Sequence, residues 1–229
     1  MSPALAGPPY VTDDPQPTDL GHYEIYTFSA GTATRGDIGG SAGIDFNYGA
    51  APDLQLTAVM PFVWDNPDVG PAAAGLGNVE LAAKYKFLHQ DTFGLDVAFF
   101  PRVFLPAGSA DTGERHVSLL LPIWVGRSWD DWSTFGGGGC TLNHGRDSQN
   151  FCQLGWTLTH QFSDNLQLGV EVFHQTADTK GGLASTGAGI GAIYDISKNF
   201  HLLGSVNLGL QNAEATNNHS WYFALLSTF

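Results

Sequence analysis

The chain has 229 residues, 43% of them hydrophobic and only 14% charged, with 29 glycines and a formal net charge of −13. A soluble domain carries about 25% charged residues, so the polar coat that water demands is thin here. The acid excess argues against a nucleic-acid partner, which needs a basic footprint, and no run of about 18 apolar residues could cross a membrane as a helix.

The opening Met1-Ser2-Pro3-Ala4-Leu5-Ala6-Gly7 contains a small-x-small run, Ala4 to Ala6, of the kind at which export signals are cut. It reads as the vestige of such a site on an exported protein. Residues 8–20, PPYVTDDPQPTDL, carry four prolines and three aspartates. Residues 1–20 are therefore expected as an extended periplasmic lead-in, and residues 21–229 as one β domain.

From there the chain alternates. Side chains of a strand point to opposite faces in turn, so an apolar period of two marks a strand with one apolar face. The first predicted strand spans 22–31, and the second, 41–49, sets Ile44, Phe46 and Tyr48 against Asp45 and Asn47. The third carries Leu54, Leu56, Ala58, Met60 and Phe62 on one face. The fourth sets Val79, Leu81, Ala83, Tyr85 and Phe87 against Glu80, Lys84 and Lys86. The fifth sets Leu95, Val97, Phe99, Val103 and Leu105 against Asp96, Phe100, Arg102 and Phe104. Folding these last two about Asp91 places Glu80 opposite Arg102 and Lys86 opposite Asp96, two favourable charge pairs. Pro101 interrupts the fifth strand, and a bulge there would turn Arg102 to the other face.

The sixth strand spans 115–127 and the seventh, glycine-rich, 132–143. The eighth spans 151–162, the ninth starts at Leu166, the tenth spans 185–195, and the last two end at Gln211 and Phe229. The count is twelve. Connections after the even-numbered strands are short (AAPD, LHQDTFG, RSWDDW, SDN, ISKNF), whereas those after the odd-numbered ones are mostly longer, such as WDNPDVGPAAAGLG. Short turns at one end and long loops at the other are the pattern of a transmembrane β-barrel with periplasmic termini. The expected fold is all-β, a single closed antiparallel barrel in the bacterial outer membrane. A soluble sandwich or ligand-binding barrel would turn the apolar faces inward, but the charge is too sparse to make the other faces a wet exterior. Aromatic residues near strand ends (Tyr48, Phe62, Phe87, Trp124, Trp132, Phe162, Tyr194, Trp221) also suit interfacial girdles.

GPPYVTDDPQP, LGHYEIY, DFNYG followed by DLQLTAVMPF, GNVELAAKYKFL and PRVFLPAG resemble the phenol-degradation meta-pathway family of bacterial outer-membrane β-barrel proteins. The resemblance runs from Gly7 to the C-terminal strand and is sharpest in the first half. It implies an outer-membrane transporter linked by name to uptake of aromatic compounds. The last strand also ends on the aromatic Phe229, which resembles the assembly signal of outer-membrane barrels, so membrane lipid, the barrel assembly machinery and small solutes are the expected partners.

The inward set is Glu24, Tyr26, Asp45, Glu80, Lys84, Lys86, Asp96, Phe100, Arg102, Phe104, Glu171 and Phe173, with Phe28 and Tyr222. It supports a narrow polar-aromatic path for small solutes, aromatic acids or phenols, with Lys84, Lys86 and Arg102 meeting an anionic group. Equally, these side chains could fill the lumen and neutralise one another, leaving a structural barrel. A lipase-like barrel enzyme would need a serine beside His160, His174 or His116 and an orienting carboxylate. No such set is evident, so no catalytic residue is assigned. Metal capture by the outer rim is a third option, at His116, His144, His174 and His219 near loop ends alongside Asp65, Asp111 and Asp147; scattered surface histidines are the commoner case, so no metal site is assigned and no cofactor is implied. The run Gly136 to Gly139 lacks the residues of a phosphate loop and would make room for larger lumenal neighbours. Cys140 and Cys152 lie symmetrically about Arg146 with matching parity, so an oxidising periplasm would join them as a disulfide. The short closed loop limits its stabilisation to about 3 kcal/mol.

Overall fold

A computed structural model describes residues 8–108, 116–145 and 147–229. The run Ala4 to Ala6, Asp111 and Arg146 lie outside the described residues. Alternation does set the architecture. The strand segments are β1 (Tyr23–Ala33), β2 (Asp37–Ala51), β3 (Leu54–Pro67), β4 (Ala73–Leu76), β5 (Val79–Leu88), β6 (Asp96–Phe99) and β7 (Arg102–Leu105). They continue as β8 (Ser118–Trp129), β9 (Trp132–Leu142), β10 (Phe151–Ser163), β11 (Leu166–Gln175), β12 (Ser185–Asp195), β13 (Phe200–Gln211) and β14 (His219–Thr228). Two single-turn helices, α1 (Gln90–Phe93) and α2 (Ala213–Thr216), sit in connections.

These fourteen segments of the described residues make twelve staves. β4 and β5 are one stave broken at Gly77 and Asn78, and β6 and β7 are one stave broken at Phe100 and Pro101. Proline has no N–H to give the ladder; at the second break the Pro101 carbonyl still accepts from Ala83, while Phe100 N–H donates to Pro122. Antiparallel neighbours follow in chain order, and β1 pairs with β14 from Glu24 opposite Thr228 to Ala33 opposite His219, which closes the barrel. Closure removes the unpaired sheet edges that hydrocarbon would not tolerate.

The apolar face is the outer one. Met60, Ile190, Leu208 and Leu210 are each more than 60% exposed. A soluble protein does not show apolar surface on this scale; a lipid-facing wall must. Trp124 departs from the expected girdle. It is 3% exposed and points inward with Leu120, because on β8 both faces are apolar and composition alone does not tell them apart. A small apolar core of Tyr26, Ile193, Leu203, Ala224 and Leu226 fills one side of the interior, with Phe28 and Tyr222 packed against it.

The β5–β6/β7 hairpin forms in a different register from a fold about Asp91. Glu80 is opposite Phe104, Ala82 opposite Arg102, and Lys86 opposite Ala98. The register is displaced by two residues because α1 occupies the turn and a bulge lies between Lys86 and Leu88. Facing is kept, since the period is two. Arg102 and Glu80 therefore meet diagonally at 3.4 Å, and Lys86 and Asp96 at 4.0 Å. The Pro101 break does not turn Arg102 outward.

Candidate functional site

The interior is occupied by residues 8–20 of the chain itself. The segment enters at the short-turn end, where Leu20 bridges Gly49. It then runs up inside the barrel. Thr12 and Asp14 are 1% exposed, and Pro9 and Pro15 are fully buried. Backbone in such a place needs a partner for every N–H, and the sequence solves this in two ways. Its prolines have no N–H. Five of the remaining donors go to side-chain oxygens: Val11 and Thr12 to Glu171, Asp14 to Asp13, Gln16 to Asp14, and Thr18 to Gln55. The Pro9 carbonyl accepts from Ser205 Oγ at 2.6 Å.

The wall is shaped to receive it. A Cβ at Gly191 would stand 2.6 Å from the Tyr10 ring, and one at Gly155 would collide with Thr12 Oγ1. The run Gly136 to Gly139 lies against Trp124 on the inside and Trp156 on the outside, so it admits large neighbours on both faces.

Electrostatics fix the segment in the middle of the lumen. Lys84 Nζ donates to Asp13 Oδ1 at 2.9 Å and to the Gln16 carbonyl at 3.2 Å. Arg102 donates to Asp13 Oδ2 at 3.1 Å, and both cations lie over the Phe100 ring. Lys86 donates to Gln16 Oε1, whose amide donates in turn to Asp96. Burial pushes the Asp14 carboxyl up to about 7, with Lys84 acting against the rise and Asp13 adding to it. Burial acts upward on Asp13 too, but Lys84 and Arg102 outweigh it and hold Asp13 below the ordinary carboxylate range.

The structure thus brings Glu80, Lys84, Lys86, Asp96, Phe100 and Arg102 into one cluster. Glu24 accepts from the Tyr26 hydroxyl at 3.1 Å. Asp45 accepts from Asn47 Nδ2 at 2.9 Å. Phe104 faces inward beside Glu80, and Phe173 is buried against Gly187. Glu171 stands apart from the cluster and holds the backbone of Val11 and Thr12. Asp13, Gln16, Gln55 and Ser205 were not among the residues singled out in the sequence. Their partners come from more than 35 positions away, so no local pattern reveals them.

Space remains beside the segment. A cavity of about 700 Å³ opens at the long-loop end, lined by Tyr10, Phe173, Asn207, Asn217 and Tyr222 among others. A smaller one of about 190 Å³ touches Asp13, Asp45, Glu80, Arg102 and Trp124. Cys140 and Cys152 are directly opposed on β9 and β10 and are joined as a disulfide. At the other end Phe229 exchanges backbone hydrogen bonds with Tyr23.

Solved barrels share this architecture at low sequence identity. An outer membrane channel from Pseudomonas putida F1 aligns with a TM-score of 0.75 at 13% identity, covering 94% of this chain and 98% of its own. The NanC porin aligns at 0.59 with 8% identity over 90% and 98%, and the translocator domain of the autotransporter NalP from Neisseria meningitidis at 0.57 with 14% identity over 93% and 90%. No curated protein matches the sequence. The model of the family described as "Putative MetA-pathway of phenol degradation" matches residues 22–224. The chain belongs to that family and folds as a bacterial outer-membrane β-barrel.

Proposed function

We infer that the protein is a passive channel for small solutes, aromatic or hydrophobic compounds among them, with its termini on the periplasmic side. In this reading residues 8–20 narrow the lumen. The observation that carries it is the unfilled space of about 700 Å³ beside that segment at the long-loop end. The solved neighbours named for a channel and a porin support it at the level of fold. Twelve staves lie between barrels filled by side chains and wide aqueous porins, so a segment of this size is enough to restrict passage. The three lumenal cations already have carboxylate partners, which speaks against an anionic solute as the main cargo.

A filled, structural barrel is the second reading, favoured by the apolar core around Leu226. A lipase-like activity draws no support from His160. That side chain packs between Trp132 and Phe162, and its Nδ1 has no hydrogen-bond partner among the described residues. Planar-bilayer recording separates the readings. The channel should show discrete steps, and removal of residues 1–17 should enlarge them severalfold. Silence from correctly inserted barrels of both forms would favour the structural reading.

A further inference from the structure

The smaller cavity has a chemistry of its own. Three carboxylates line it, Asp13, Asp45 and Glu80, against one guanidinium, Arg102. Two of the three have cationic partners: Asp13 is held by Lys84 and Arg102, and Glu80 by Arg102. Asp45 forms no ion pair among the described residues and accepts one hydrogen bond, from the neutral Asn47 amide. A carboxylate taken out of bulk water is costly unless a positive group meets it.

Four rings, Tyr10, Phe28, Trp124 and Tyr222, share the rest of the wall with Pro8, Val11, Val59 and Gln153. Phe28 and Tyr222 stack with centroids 6.1 Å apart and an interplanar angle of 7°. Trp124 also lines the cavity, and its buried Nε1–H has no hydrogen-bond partner among the described residues. Ring faces attract cations, and organic ammonium groups are the ligands that combine this attraction with a neighbouring carboxylate. The volume suits a single-ring or short-chain amine. The larger cavity at the long-loop end adjoins this one, since Tyr10, Val11, Gln153 and Tyr222 line both.

We propose that this chamber is a binding site for a small protonated organic amine, its ammonium on Asp45 and its apolar part against Phe28, Trp124 and Tyr222. The proposal rests on the channel reading only for the route of entry; binding stands or falls separately. The test is calorimetric titration of the refolded full chain in detergent with benzylammonium, benzyl alcohol, benzoate and ammonium chloride. Benzylammonium should bind about tenfold more tightly than benzyl alcohol, benzoate least, and Asp45→Asn should bring benzylammonium down to the level of the alcohol. Equal binding of benzylammonium and benzyl alcohol would overturn the proposal. So would an Asp45→Asn barrel, heat-modifiable like the parent, that binds unchanged. A match by ammonium chloride would show that the rings contribute nothing and would remove the organic class. Should Asp45→Asn fail to fold, the ranking of the four probes on the unaltered protein still decides. Bilayer silence combined with the expected ranking would sink the channel and leave the site.

Discussion

Asp13 and Asp14 are neighbours with opposite responses to pH. Asp14 is raised to about 7 in the folded protein, against an ordinary value near 4, so the docked segment holds a proton that the undocked one releases. Its docking is therefore strongest below about pH 4 and weakens as pH rises through 7. Asp13 is lowered, so its contribution is present above its ordinary range and lost only in stronger acid. Asp14→Asn should lessen the weakening between pH 4 and 7. Hydrogen exchange of the Val11 and Thr12 amides across that range would report it, and an unchanged profile would count against the role of Asp14. Arg102 holds both Asp13 and Glu80. Arg102→Ala should shift selectivity further toward cations, readable as a changed reversal potential under a salt gradient. The barrel itself should persist, since lumenal changes leave the lipid face untouched.

At the scale of elements, the N-terminal segment and the glycine positions of β10, β11 and β12 are complementary. Gly155, Gly169 and Gly191 lie where Thr12 and Tyr10 approach the wall. Glycine weakens a strand relative to a β-branched residue, so its presence there costs strand stability and gains room. Gly155→Val should keep the barrel, improve local strand propensity and expel the segment around Thr12. The expected readouts are a normal heat-modifiable band and a conductance close to that of the chain lacking residues 1–17. Parental conductance would mean that the segment tolerates the clash by sliding. The β5–β6/β7 hairpin carries a second lesson. Its charge pairs form despite a register two residues away from the symmetric fold, because Arg102 and Lys86 are long enough to reach diagonal partners.

Across the whole molecule, the described carboxylates in the lumen, Asp13, Asp14, Glu24, Asp45, Glu80, Asp96 and Glu171 among them, outnumber the cations Lys84, Lys86 and Arg102. A low-dielectric wall focuses such an excess on whatever passes, so cation preference is the expected property of the open channel. Closure is the other whole-molecule property. The last residue, Phe229, is hydrogen-bonded to Tyr23 at the seam where β14 meets β1. Its deletion should leave the protein exported but poorly inserted, measured as loss of the heat-modifiable form from the outer membrane. Normal amounts of that form would refute its part in assembly.

The sequence by itself determined the staves, their number, the face turned to lipid and the pairing of Cys140 with Cys152. These follow from a period of two and from short connections, which are local or nearly local properties. Only the tertiary structure decided what fills the lumen. Residues 8–20 carry no periodicity, and their partners Glu171, Ser205 and Lys84 lie on distant strands. Trp124 and the hairpin register were hidden for related reasons. A strand apolar on both faces does not declare its inside, and a turn with a bulge does not declare its centre. The place of the N-terminal segment is set by closure, which brings every inward side chain within reach of one axis, where unpaired backbone donors meet carboxylates that would otherwise be buried alone.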